Sequence, residues 1–163
     1  MKSTDKFLIG IVAAIVLLII VALAVTLSQP EPTYQAEDTP EGAAHNYLMA
    51  LNREEYDRAY GYLSPVLSGY PASAVKFAED VQDYAWSFRL NTDNTLLVES
   101  AKITGSQGIV RVRESYFRGG DLFDSSQSTR VFEVELRLED DEWKIVDSDY
   151  YFAWCWKHEE GCK

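Results

Sequence analysis

Basic side chains are in short supply. Fifteen Lys and Arg stand against 26 Asp and Glu, a formal net charge of −11, and so acidic a surface repels phosphate backbones instead of neutralising them. That argues against nucleic-acid binding. Cysteine is nearly absent, with Cys155 and Cys162 the full set, and histidine is limited to His45 and His158. No Gly-rich loop follows a strand to cradle phosphate, and no Ser or Cys has the His and Asp neighbours of an activated nucleophile. Internal repeats and low-complexity tracts are missing as well. What is present is apolar: 47% of the 163 residues are hydrophobic and 13% aromatic, enough to build one folded domain beside a membrane segment.

Phe7 to Leu27 contains no charge, and as a helix it covers roughly 30 Å, the hydrocarbon thickness of a bilayer. The tail before it, residues 1–6, carries Lys2 and Lys6 against Asp5, whereas the far flank meets Glu31, Glu37, Asp38 and Glu41 before any base. The positive-inside rule places the N-terminus in the cytoplasm and the rest outside. A cleaved signal peptide is the rival reading, because Ala22-Leu23-Ala24 has the small-x-small form of a cleavage site; against it, Val25 to Leu27 prolong the apolar run. Both readings export the domain. Residues 28–38, with two prolines and little apolar periodicity, read as an extended solvated spacer.

Thr39-Pro40-Glu41 has the form of a helix start, with Thr as cap, Pro in the first turn and an acid at the positive end of the dipole. Ala43, Ala44, Tyr47, Leu48 and Leu51 then recur at helical spacing. Tyr56, Ala59, Tyr60 and Leu63 form a second stripe that Ser64-Pro65 terminates. A third helix is expected after Pro71, with Ala74, Phe77, Ala78, Val81 and Ala85 on one side. From Trp86 the period becomes two, and turn signals at 91–94, 105–108, 119–126 and 139–142 divide four or five strands. In Arg130 to Leu138, apolar Phe132, Val134, Leu136 and Leu138 alternate with Glu133, Glu135 and Arg137. Val110, Val112 and Tyr116 alternate likewise with Arg111, Arg113 and Ser115, so a hairpin between the two strands pairs arginines with glutamates on its wet face.

Helices followed by a meandering sheet make the α+β class, with about three helices packed on a curved, mainly antiparallel sheet. The segment TPEGAAHNYLMALNREEYDRAYGYLSP, together with LEDDEWKIVDSDYY near the C-terminus, resembles the nuclear transport factor two-like superfamily over residues 39–154. The resemblance implies a cone-shaped α+β roll for residues 39–163. It also implies a wide range of roles, from isomerases and dehydratases to transport and adaptor domains, so it does not choose among them. None of the family's enzyme signatures carries over residue by residue.

Outside the cell, Cys155 and Cys162 most simply form a disulfide closing the C-terminal tail, contributing roughly 2 to 3 kcal/mol. The alternative is a metal site of the form Cys-x-x-His-x-x-x-Cys through His158, which lacks the second ligand pair of a zinc module. No metal or other cofactor is expected. Asp121 and Asp124, at the tip of a hairpin, read as solvating charges more simply than as calcium ligands.

The last strand offers the sharpest candidate. With a regular pleat, Trp143, Ile145, Asp147 and Asp149 share the inner face, and an inward Asp would serve as a general base. A β-bulge would reverse the parity, sending both acids to solvent and turning Tyr150, Phe152 and Trp154 to the core; the cost of burying two unpaired carboxylates favours it. Tyr47, Tyr56 and Tyr60, on stripes facing the sheet, either rim a pocket or pack at the wet end of an ordinary core. Trp154 and Trp156 flank Cys155, and continued alternation would put them on one face. Three functions follow as expectations: a membrane-tethered, non-catalytic domain that binds a partner or ligand or spaces a cell-surface assembly, its acidic sheet face favouring protein contact; an isomerase or hydro-lyase using a pocket Asp; and a small-ligand binder without a base.

Overall fold

The longest apolar run forms the longest helix. In the computed structural model, which describes residues 3–28, 32–89, 94–118 and 126–163, helix α1 spans Ser3–Leu27 and its stretch Phe7–Val25 is long and apolar enough to cross a membrane. The chain divides into two compact units, Met1–Thr33 and Tyr34–Lys163.

In the second unit, α2 (Pro40–Asn52) begins as its sequence predicts: Thr39 is extended, its hydroxyl accepts from the Gly42 amide at 3.1 Å, and Pro40 opens the first turn. Apolar side chains on almost every side of α2 are buried, because α2 lies against the sheet on one side and is covered on another by the segment before it. There the Gln35 amide donates to Asn46 Oδ1 at 2.8 Å and the Gln35 carbonyl accepts from Asn46 Nδ2 at 2.9 Å. Arg58 stacks 3.3 Å above the Tyr34 ring, whose hydroxyl donates to Glu55 at 2.6 Å. Residues 34–38, expected within a solvated spacer, are therefore held on the domain. The close approach requires Gly42, since a Cβ there would stand 1.8 Å from the Ala36 carbonyl oxygen.

Helix α3 (Tyr56–Gly61) is shorter than its apolar stripe suggests. Beyond it the chain runs beside the last strand, with the Ser64 amide donating to the Ile145 carbonyl at 2.9 Å and the Ile145 amide to the Tyr62 carbonyl at 2.8 Å. Helix α4 (Ala74–Asp83) is capped by the Ser73 hydroxyl, and α5 (Ala85–Phe88) follows at once. Trp86 to Phe88 therefore turn as helix where the sequence reads as the start of alternation. Four apolar or small residues carry too little pattern to separate the two, and tertiary bonds decide: the Ser87 hydroxyl donates to the Phe152 carbonyl at 2.8 Å, and the Ser87 carbonyl accepts from the Tyr151 amide at 3.1 Å.

Strands β1 (Asn94–Thr104), β2 (Gln107–Arg118), β3 (Ser126–Glu139) and β4 (Glu142–Ser148) form one antiparallel meander in sequential order. The fold class expected from sequence is the one observed. Arg111 pairs in register with Glu133 on the wet face, while Arg113 faces Val131 and makes its ion pair with Glu99 of β1 instead. A bulge in β4 skips Val146, so that Ile145 lies opposite Leu136 but Asp147 lies opposite Glu135. Asp121 and Asp124 lie outside the described residues.

Candidate functional site

The inner face of β2 runs Val110, Val112, Glu114, and all three are buried. A carboxylate thus occupies a position that parity assigns to an apolar side chain. Its Oε1 gathers Arg89 Nε at 2.6 Å, Asn94 Nδ2 at 3.0 Å and the Tyr151 hydroxyl at 3.0 Å, while Oε2 has no partner among the described residues. Two backbone irregularities deliver these donors. Arg89 takes a left-handed conformation (φ 52°) at the end of α5, and Tyr151 takes another (φ 60°) just past β4. The Arg89 guanidinium also lies 5.0 Å from the Tyr116 ring centre and 5.9 Å from that of Tyr150, and Arg130 caps Tyr150 at 4.7 Å. Burial, and then the Glu114 charge, push the Tyr151 phenol above its ordinary range.

Beside this cluster is a cavity of about 50 Å³ lined by Leu51, Asn52, Glu54, Phe88, Arg89, Asn94 and Tyr151. Such a volume suits one or a few water molecules and is far below the roughly 300 Å³ at which small-molecule sites begin. Among the described residues, large side chains take up much of the space between helices and sheet. Tyr47, Phe77, Phe88, Trp156, Leu63 and Leu136 are among the largest fully buried side chains. Trp156 sits on Phe77 at 5.1 Å and meets Phe152 edge-on at 5.1 Å, and its indole N–H donates to Asp80 at 2.8 Å. Asp80 is itself buried and paired with Lys76 at 2.8 Å.

The side chains singled out in the sequence are dispersed. The β4 bulge places Asp147 on the outer face, where it pairs with Lys157, and Asp149 is exposed. The inward, regular-pleat arrangement of these two acids is therefore not the one adopted. The consequence expected of a bulge holds only in part: Phe152 is buried, Tyr150 is half-buried and Trp154 is 70% exposed, because the chain leaves the sheet at Tyr151 and curls into a 3₁₀ turn at Trp154–Lys157. That turn also separates Trp154 from the buried Trp156 instead of aligning them. Tyr47 is buried, its hydroxyl donating to the Tyr151 carbonyl at 2.6 Å, and Tyr60 donates to the Pro71 carbonyl at 2.9 Å while packing against Tyr70 and Phe77. Tyr56 is half-buried, and burial raises its phenol. None of the five lines the cavity beside Glu114.

Cys155 and Cys162 are joined as a disulfide, with Cα atoms 5.1 Å apart, so neither offers a thiolate to a metal. Among the described residues no group of three His, Cys, Asp or Glu side chains is placed to hold one.

Glu114 and its partners were not identified from sequence, although one signal for the first was available. Val110, Val112 and Tyr116 define a dry face, and Glu114 has the same parity. Nothing local marks Arg89, whose role depends on a left-handed residue at the end of a four-residue helix.

No family model matches the sequence, and no curated protein matches it. Solved structures do. A SEC-C motif-containing protein from Rhodopseudomonas palustris is 16% identical, with 70% of this chain and 80% of that one covered and a TM-score of 0.49. A protein of the NTF2-like family from Streptomyces avermitilis is 17% identical, with coverage of 69% and 95% and a TM-score of 0.43. An NTF2-like protein with a cystatin-like fold from Novosphingobium aromaticivorans is 10% identical, with coverage of 66% and 75% and a TM-score of 0.44.

Proposed function

We propose that this chain is a membrane-anchored, exported, non-catalytic module that works through its outer surface, on a protein partner. The observation that supports the reading is the occupied interior among the described residues: aromatic side chains pack the helix–sheet space there, and the cavity beside Glu114 measures only about 50 Å³. Helix α1 supplies a hydrophobic crossing, with the basic tail on the cytoplasmic side. A disulfide near the C-terminus suits an oxidising compartment, and the net charge of −11 suits contact with a basic or cation-coated surface.

A second reading is favoured by one atom. Glu114 Oε2 is a buried acceptor without a described partner, which suits a small polar ligand at the edge of the interior. In that reading the working carboxylate is Glu114, not Asp147. Its commitment to an ion pair with Arg89 and to hydrogen bonds from Asn94 and Tyr151 favours a binding role over that of a base.

Fusing alkaline phosphatase after Lys163, in cells where the enzyme is active only outside the cytoplasm, tests the export and orientation. The proposal expects an active fusion that stays with the membrane fraction after washing at high pH. An inactive fusion overturns the orientation, and an active one released as soluble protein replaces the anchor by a cleaved leader.

A further inference from the structure

A groove of about 310 Å³ lies on the outside of the domain, between the start of α2, the end of α3 and the start of β4. Buried Ala43, Tyr62 and Trp143 give it an apolar floor, and Gly61 leaves it unobstructed, since a Cβ there would meet nothing within 4 Å. Carboxylates border it at Glu37, Asp57 and Glu142 against the cations Arg58 and Lys144.

Both cations are already engaged. Arg58 lies over the Tyr34 ring and 3.5 Å from Glu37, and Lys144 donates to the Gly61 carbonyl at 2.9 Å and pairs with Glu142 at 2.5 Å. Asp57 is exposed and has no partner among the described residues, and the same holds for Asp140 and Asp141 at the hairpin tip adjoining Glu142. The unspent charge around the groove is therefore negative, over a floor that accepts apolar or aliphatic groups. Lys and Arg combine an aliphatic stem with a cationic head and match both features.

We propose that this groove docks a basic, extended segment of a partner protein, whose side-chain stems lie on Tyr62 and Trp143 and whose Lys or Arg heads reach Asp57 and the Asp140–Glu142 tip. The inference rests on the reading that the domain acts through a protein partner. A second copy of this chain is a poor occupant, because it brings another −11 charges to the contact.

Full-length protein in a non-ionic detergent is titrated against a fluorescein-labelled peptide of alternating lysine and alanine, with a glutamate–alanine peptide as control, and read by anisotropy. The lysine peptide is expected to bind at low salt and to lose affinity steeply toward about 0.5 M, where the screening length is only a few ångströms. Gly61→Trp, which fills the groove, and Asp57→Lys, which reverses its free charge, are each expected to weaken binding about tenfold or more with an unchanged melting temperature. Because Asp57 is exposed, its variant serves if the tryptophan disturbs folding. Wild-type affinity in folded Gly61→Trp and Asp57→Lys overturns the groove assignment while leaving a basic partner elsewhere on the surface. Failure of the wild type to bind the lysine peptide overturns the basic-segment assignment, whereas the export and orientation of the domain stand or fall separately on the phosphatase fusion. Displacement of the peptide by an equal concentration of spermine assigns a free polyamine instead, which also overturns the proposal.

Discussion

Arg89 reaches into the domain to put Nε 2.6 Å from Oε1 of Glu114, a side chain with 0% exposure. A buried pair of this kind costs desolvation of both charges, so its value lies less in net stability than in what happens when one partner is lost. Glu114→Ala leaves a guanidinium, an amide and a phenol without their shared acceptor, and is expected to cost about 3 to 5 kcal/mol. The double change Arg89→Met with Glu114→Leu removes both charges at once and should fall within about 2 kcal/mol of wild type. Urea denaturation of the two variants checks this, and a double variant as unstable as the single one would contradict it.

Asp80 performs a different task, holding the Trp156 indole at 2.8 Å from within α4. Asp80→Ala strands a buried N–H and should cost about 1 to 3 kcal/mol. Lys76→Met leaves the Asp80 carboxylate, only 2% exposed, without its cation and is expected to cost more, about 3 to 5 kcal/mol. Thermal denaturation followed by tryptophan fluorescence separates the two; equal losses would contradict the account.

The segment before α2 gives a comparison between two glycines. Gly42→Ala drives a methyl into the Ala36 carbonyl and should loosen the strap, whereas Gly61→Ala adds one in open space and should be neutral or stabilising by up to about 1 kcal/mol. Limited proteolysis around residues 32–38 is the readout. Faster cutting in Gly42→Ala alone is expected, and equal cutting in both would show that the strap is not held as described.

Alkaline pH acts through the raised phenols, of which Tyr47 and Tyr151 are the most deeply buried. Burial raises Tyr47, and burial followed by the Glu114 charge raises Tyr151, above the ordinary 10.0. The folded state then keeps protons that the unfolded chain releases, so the contribution is complete below about pH 10 and is lost as pH rises beyond it. The urea midpoint is expected to hold steady from about pH 7 to 9 and to fall above about 10, less steeply in Tyr47→Phe. A fall that is equally steep in Tyr47→Phe would remove Tyr47 from the explanation.

Much of the architecture could be read from local pattern, because it is locally encoded. Thr39-Pro40 caps α2, α2 and α4 carry apolar stripes at helical spacing, and Phe132 to Leu138 alternates. The features around Glu114 are not local. Arg89 and Tyr151 depend on left-handed residues without glycine, and the side to which Asp147 points turns on one bulged residue, Val146. A single-residue slip reverses every side chain that follows, so the sequence points to a carboxylate on β4 while the buried one lies on β2.

The occupied interior is the claim on which the proposed function most depends. Native mass spectrometry of the full chain released from micelles, after incubation with pooled metabolites that need about 300 Å³ or more, tests it most directly. The account predicts the bare protein mass in every pool. A stoichiometric adduct that disappears in Glu114→Gln would contradict it and turn attention from the outer surface to the interior.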